Sequence, residues 1–166
     1  MQNLAFIDGQ NLHMGTKENN WKIDHRKFRI YIKDKYKVSK AYYFIGYYSD
    51  KFIKIYDSLK EAGFLVYFKD HHPELLAKKK GNIDTDLVFE VMRQISDMVE
   101  FDKIVIVSGD GDFKKMIDYL INKKKFSKIL FPTRRSSTLY KHLGSEYFDY
   151  LDNIRNYIAH KNKKSS

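Results

Sequence analysis

The sequence predicts an α/β domain built on a single doubly wound, mainly parallel sheet flanked by helices. Two observations predict it. Apolar runs alternate with helical patterns along most of the chain. Most of those runs are continuously apolar rather than alternating, which marks strands covered on both faces, as in parallel sheets. A third observation bears on function. Two strands stop on an acidic residue next to glycine, in Ala5-Phe6-Ile7-Asp8-Gly9 and in Val107-Ser108-Gly109-Asp110-Gly111-Asp112.

Taken in order, the first strand is predicted over Leu4–Asp8. A helix follows over His25–Tyr36, where Phe28, Ile32 and Tyr36 recur at four-residue spacing. The second strand is placed at Lys40–Tyr48, rich in β-branched and aromatic residues. The next helix, Asp50–Ala62, sets Phe52, Ile55, Tyr56 and Leu59 on one stripe and stops at Gly63. Leu65–Lys69 reads as a third strand. The polar, basic stretch His71–Gly81 reads as a loop. Asn82–Val99 reads as a helix with Asn82 as its N-cap and with Leu87, Val88, Val91, Met92 and Ile95 inward. Lys103–Ser108 is the fourth strand. Phe113–Asn122 is a helix carrying Met116, Ile117, Leu120 and Ile121. Lys128–Pro132 is the fifth strand, and Ser137–Leu143 a short helix stopped by Gly144. A short strand, Tyr147–Leu151, leads to a terminal helix.

The chain has 166 residues, enough to bury one core, and 43% are hydrophobic. Residues 1–160 are assigned to one domain and 161–166 to a basic, flexible tail. There is no cysteine, which excludes disulfides, thiolate zinc sites and cysteine nucleophiles and suits a reducing compartment. No apolar run approaches the roughly 20 residues of a membrane span. The opening residues Met1-Gln2-Asn3-Leu4 enter a strand at once, so a cytoplasmic protein without a signal peptide is expected. The net charge of +10 comes mostly from lysine, in Lys78-Lys79-Lys80, Lys123-Lys124-Lys125 and the final residues. A surplus of that size favours polyanions, nucleic acid foremost.

Against that basic background the acidic strand ends stand out. In an open α/β sheet, ligands bind beyond the carboxyl ends of the strands. Asp8 and Asp110 both lie at such ends, so one shared site is expected. Clustered carboxylates repel unless a cation lies between them, and hard cations such as Mg²⁺ or Mn²⁺ prefer oxygen ligands. A third contributor opens the helix after Lys80-Gly81-Asn82-Ile83. Asp84 shares the face of Leu87 and Val88, whereas Asp86 falls on a stripe with Glu90 and Arg93 that reads as solvent-facing. Asp8, Asp84 and Asp110 are the expected ligands, with Asp112 binding directly or through water. Asn11 and Ser108 are expected to orient the carboxylates or a scissile phosphate. One or two such ions activate water and stabilise a leaving oxygen, so phosphodiester hydrolysis needs no side-chain nucleophile.

At these residues the sequence resembles the NYN domain family, a branch of the PIN-like nucleases. The matching motifs are Phe6-Ile7-Asp8-Gly9-Gln10-Asn11, Lys80-Gly81-Asn82-Ile83-Asp84 and Ser108-Gly109-Asp110-Gly111-Asp112-Phe113, and the resemblance covers nearly the whole chain. It implies a PIN-like, Rossmannoid parallel sheet. It further implies metal-dependent ribonuclease activity, of endoribonuclease type, with Asp8, Asp84, Asp110 and Asp112 as the acidic set. RNA, single-stranded or structured, is the implied partner.

Flanking residues extend the reading. Lys78, Lys79 and Lys80 precede the helix bearing Asp84, and Arg134 and Arg135 follow the fifth strand; all are candidates for phosphate contact. Of the second-strand tyrosines Tyr42, Tyr43, Tyr47 and Tyr48, most read as core or packing residues, while Tyr47 or Tyr48 could stack on a base. His71 and His72 read as surface residues. Three other readings compete, one of them a topoisomerase-primase fold, which wants a glutamate after the first strand where the chain has Asp8. A catalytically idle RNA-binding module would share the same basic surface. A phosphoacceptor receiver domain would use Asp70 at the third strand, but it wants a lysine ending the fifth strand, where the chain reads Leu130-Phe131-Pro132-Thr133. The oligomeric state stays open, a homodimer included.

Overall fold

A computed structural model describes residues 2–69 and 83–161. Six strands, β1 (Asn3–Asp8), β2 (Val38–Phe44), β3 (Leu65–Tyr67), β4 (Ile104–Val107), β5 (Phe126–Phe131) and β6 (Phe148–Tyr150), form one sheet. Their order is β3-β2-β1-β4-β5-β6, and every pairing is parallel. The helices are α1 (Gly9–Glu18), α2 (His25–Tyr36), α3 (Ile53–Glu61), α4 (Asp84–Ser96), α5 (Lys114–Asn122) and α6 (Arg155–Ile158). The predicted class, a parallel sheet flanked by helices, is the one observed.

The continuous apolar runs are explained by burial on both faces. Leu4, Phe6, Ile104 and Ile106 join Leu87 and Val91 of α4 and Met116, Ile117 and Leu120 of α5 in one core layer. Ala5, Ile7, Val105 and Val107 join Leu12 of α1, Phe28 and Ile32 of α2 and Leu59 of α3 in the other. Successive strand residues face opposite layers, so every position must be apolar.

Several boundaries differ from expectation. α1 has no helical signature in the sequence: it has two glycines and only Gly9, Leu12 and Thr16 buried, too few for an apolar stripe. β2 stops at Phe44, opposite Asp8, where β1 runs out and one neighbour is lost. Tyr47 and Tyr48 therefore lie beyond the strand, while Tyr42 and Tyr43 are buried. The stripe over Asp50–Ala62 breaks because Asp50–Phe52 is a 3-10 turn. Phe52 and Ile55 are exposed, and only Tyr56 and Leu59 reach the core. Gly63 does end α3, at φ +92°. α4 begins at Asp84, and the expected cap Asn82 lies outside the described residues. Phe113 belongs to a 3-10 turn, Gly111–Phe113, that leads into α5. Ser137–Leu143 is not a helix but a 3-10 turn, Thr138–Tyr140; so short a segment cannot repay the cost of helix nucleation. Glu90, expected in solvent, is buried and bonded to Arg93 at 2.6 and 3.1 Å and to Gln94 at 2.8 Å.

The chain leaves β1 to build β2 and β3 on one side, then returns to build β4, β5 and β6 on the other. The topological switch point therefore lies between β1 and β4, and open α/β sheets bind their ligands beyond the strand ends at such a point. Among the described residues, no helix is long and apolar enough to cross a membrane.

Candidate metal centre

Asp8 is the last residue of β1 and the N-cap of α1, its carboxylate accepting from the Asn11 N–H at 3.1 Å. A strand handing directly to a helix needs such an acceptor for the orphan N–H groups of the first turn. Gly9 is required at the join, because a Cβ there would lie 2.6 Å from the Phe44 carbonyl oxygen and run into the Tyr43 ring.

One strand over, Ser108 follows β4. Its hydroxyl donates to Asp8 Oδ2 at 3.0 Å and accepts from the Asp110 N–H at 3.1 Å. Asn11 Oδ1 accepts from the Gly109 N–H at 2.7 Å. The ends of β1 and β4 are thus tied together by two side chains. Asp110 caps the turn Gly111–Phe113 by accepting from the Asp112 N–H at 2.9 Å. The Asp110 carbonyl in turn accepts from the Tyr140 hydroxyl at 2.6 Å. Gly111 admits the neighbouring segment closely, since a Cβ there would meet Leu139 Cδ1 at 2.8 Å.

Asp84 enters from the opposite side, as the first residue of α4, anchored by buried Ile83 and Leu87. Carboxylate oxygens of Asp84, Asp110 and Asp112 all lie within 4.8 Å of one another. Asp84 and Asp110 are half-buried and Asp112 exposed. Asp8 stands outside that set of three, behind Ser108, and is only 3% exposed. Burial pushes its carboxyl above the ordinary value; the Asn11 N–H and the Ser108 hydroxyl pull it back, and the nearby Asp110 charge raises it again.

The set suits a hard divalent cation. Two oxygens bound to one Mg²⁺ at about 2.1 Å each are at most about 4.2 Å apart. Oxygens within 4.8 Å reach that spacing by small side-chain rotations. The donors are all carboxylates, the preference of Mg²⁺ and Mn²⁺ over softer metals.

Other predicted positions are scattered more widely. Arg134 is exposed, donates to Asn153 Oδ1 at 2.7 Å and lies over the Tyr150 ring. Arg135 is exposed, and its carbonyl lies beside Gly109, next to the acidic set. Tyr47 lines a groove beyond β2 and β3. Lys78, Lys79, Lys80, Asp70, His71 and His72 lie outside the described residues. Tyr140 was not singled out from sequence. Nothing in its spacing marks it, because its contact with Asp110 exists only once β5 and β4 are side by side.

A family model described as NYN domain matches residues 4–151. Among curated proteins, the chain is similar to the low amplitude and bright protein LabA of Synechococcus elongatus, at 25% identity over 162 residues. That alignment covers 92% of this chain and 85% of the relative. Among solved structures, it is similar to a protein of unknown function from Vibrio parahaemolyticus, with a TM-score of 0.73 and 21% identity over 96% of each chain. The latter likeness establishes the fold alone.

Proposed function

The chain belongs to the NYN domain family, and from that premise we propose that it is a divalent-metal-dependent nuclease hydrolysing RNA phosphodiester bonds, cutting internally. The observation that carries the reading is the meeting of Asp84, Asp110 and Asp112, from two separate elements, at the switch point of the sheet. Asp84, Asp110 and Asp112 would hold one or two Mg²⁺ or Mn²⁺ ions, and Asp8 would complete the acidic set from behind. Bound there, the cation supplies a lowered pKa for an attacking water and charge stabilisation for the leaving oxygen.

The protein's own part is positioning. Ser108 and Asn11 lock the β1 and β4 ends together, so Asp110 is presented at a fixed height above the sheet. Tyr140 pins the Asp110 backbone from the β5 side. Arg135 and Lys78–Lys80 would meet the substrate's phosphates, Tyr47 one of its bases, and Arg134 the phosphates once released from Asn153. The net charge of +10 supports a polyanionic substrate. A chain without cysteine is compatible with work in the cytoplasm.

The test is cleavage of labelled single-stranded RNA with Mg²⁺ or Mn²⁺ added, and again after EDTA. Wild type should cut only with metal. Asp110→Asn should lose more than the ~10–100-fold that removal of a residue behind a metal ligand costs. Full activity in that variant would remove the reading. Salt-sensitive RNA binding with no cleavage under either metal would leave a binding module in its place.

A further inference from the structure

A concavity borders the first turns of α4, the helix that Asp84 opens. It has a volume of about 420 Å³ and lies between the ends of β2 and β3 and the first turns of α4. That size falls in the ~300–1,000 Å³ range of small-ligand sites. Its aromatic lining is Tyr47, Tyr67, Phe68 and Phe89, and Lys69, Asp86 and Glu90 are its charged residues.

The aromatic walls are braced. Phe44 stacks on Tyr67 with ring centroids 5.2 Å apart. Phe68 is held edge-on by Tyr56 at 4.8 Å and by Tyr48 at 5.4 Å. Phe89 lines the groove and is 65% exposed, so its ring face is open to a ligand. The charged lining is one cation, Lys69, and two acids, Asp86 and Glu90, so the net charge of the groove is negative. Carboxylates repel phosphate and act only as hydrogen-bond acceptors. Glu90 is already occupied by Arg93 and Gln94, which leaves the exposed Asp86 to receive a ligand's donors.

We infer that this groove seats one unpaired guanine base of the RNA strand, stacked on Phe89 and Tyr67 and bonded through its Watson–Crick edge to Asp86. Flat π-faces suit aromatic walls, and single-stranded RNA is read on splayed-out bases. Of the common bases, guanine presents two adjacent N–H donors, on N1 and the 2-amino group, to a single carboxylate. Asp86 lies two residues beyond Asp84 on the same first turn of α4, with one side chain on the groove and the other in the acidic set. The base in the groove therefore belongs to a nucleotide adjoining the bond to be cut. The inference rests on the nuclease reading only for that last point; base recognition stands without it.

The experiment is equilibrium binding of the full chain to labelled oligouridine in EDTA. A single central residue is guanosine, inosine, adenosine or abasic. Wild type should prefer guanosine, with inosine weaker for want of the 2-amino group and the abasic strand weakest. Phe89→Ala should weaken the guanosine strand roughly tenfold and bring it level with the abasic strand. Asp86→Asn should erase the preference for guanosine over adenosine while keeping both above abasic. Both positions are exposed, and circular dichroism checks that the variants fold. Equal binding of all four strands by wild type, no binding at all, or a preference untouched by both substitutions overturns the inference. Mn²⁺-dependent cleavage, measured on the same strands, separates the two readings. Base preference without cleavage removes the nuclease alone, and cleavage without base preference removes the groove alone.

Discussion

Asn11 and Tyr140 hold the same loop from two sides, yet they differ in kind. Asn11 accepts from the Gly109 N–H and sits on the element that Asp8 caps. Tyr140 offers one hydroxyl to the Asp110 carbonyl and otherwise packs on Phe131 at 5.3 Å. Asn11→Ala should lower metal-dependent cleavage by about 10–100-fold, as loss of a group orienting metal ligands does. Tyr140→Phe keeps the ring and deletes one bond. It should cost about 0.5–1.5 kcal/mol of stability, read by urea unfolding, together with weaker Mn²⁺ binding by calorimetry. Unchanged Mn²⁺ affinity in both variants would detach the loop from the site. At this scale the sequence was unevenly legible. Asp84, Asp110 and Asp112 could be marked because strand ends and a helix face are local properties. Tyr140 could not, because its partner lies 30 residues away and no periodicity links them. Glu90 lies on a stripe of the helix that reads as polar, while its burial follows from Arg93 and Gln94 on the following turn.

Among the elements, the join of β1 to α1 is the tightest. Gly9→Ala forces a methyl against the Phe44 carbonyl and the Tyr43 ring. Thermal and urea melts should show a loss of about 1–3 kcal/mol, and cleavage should fall with it because Asp8 and Asn11 flank the substitution. Wild-type stability would mean that the join relaxes freely. α4 carries a pH dependence of its own. The hydrogen bond from the Arg93 guanidinium holds the Glu90 carboxyl below its ordinary value, against the opposing pull of burial, and Gln94 adds to the lowering. Tyr42 and Tyr67 face the same carboxylate. A lowered native pKa means that the unfolded chain takes up the proton first. The stabilisation is therefore complete above the ordinary glutamate value and is lost as pH falls through the native one. Wild type should lose more stability than Glu90→Gln between neutral and acid pH, so parallel stability curves would contradict this account. The strands were the legible elements, since burial on both faces writes a continuous apolar run. α1 was not, since it is set by the cap at Asp8 rather than by a stripe.

For the whole molecule, the charge of +10 is the property most open to measurement. The logarithm of the RNA association constant should fall linearly with the logarithm of salt concentration, by roughly 0.7 for each phosphate neutralised on a single strand. A flat response would mean that the lysine surplus faces away from RNA. The sheet order has a further consequence. β1 is flanked by β2, which follows it soon, and by β4, which follows only after β3 and α4. A nascent chain emerging from the ribosome through α4 already displays Asp8 and Asp84. It still lacks Ser108, Asp110 and Asp112, and its central strand remains open along one side. Closing the sheet along β1 and gathering Asp84, Asp110 and Asp112 thus both wait for the chain that follows α4.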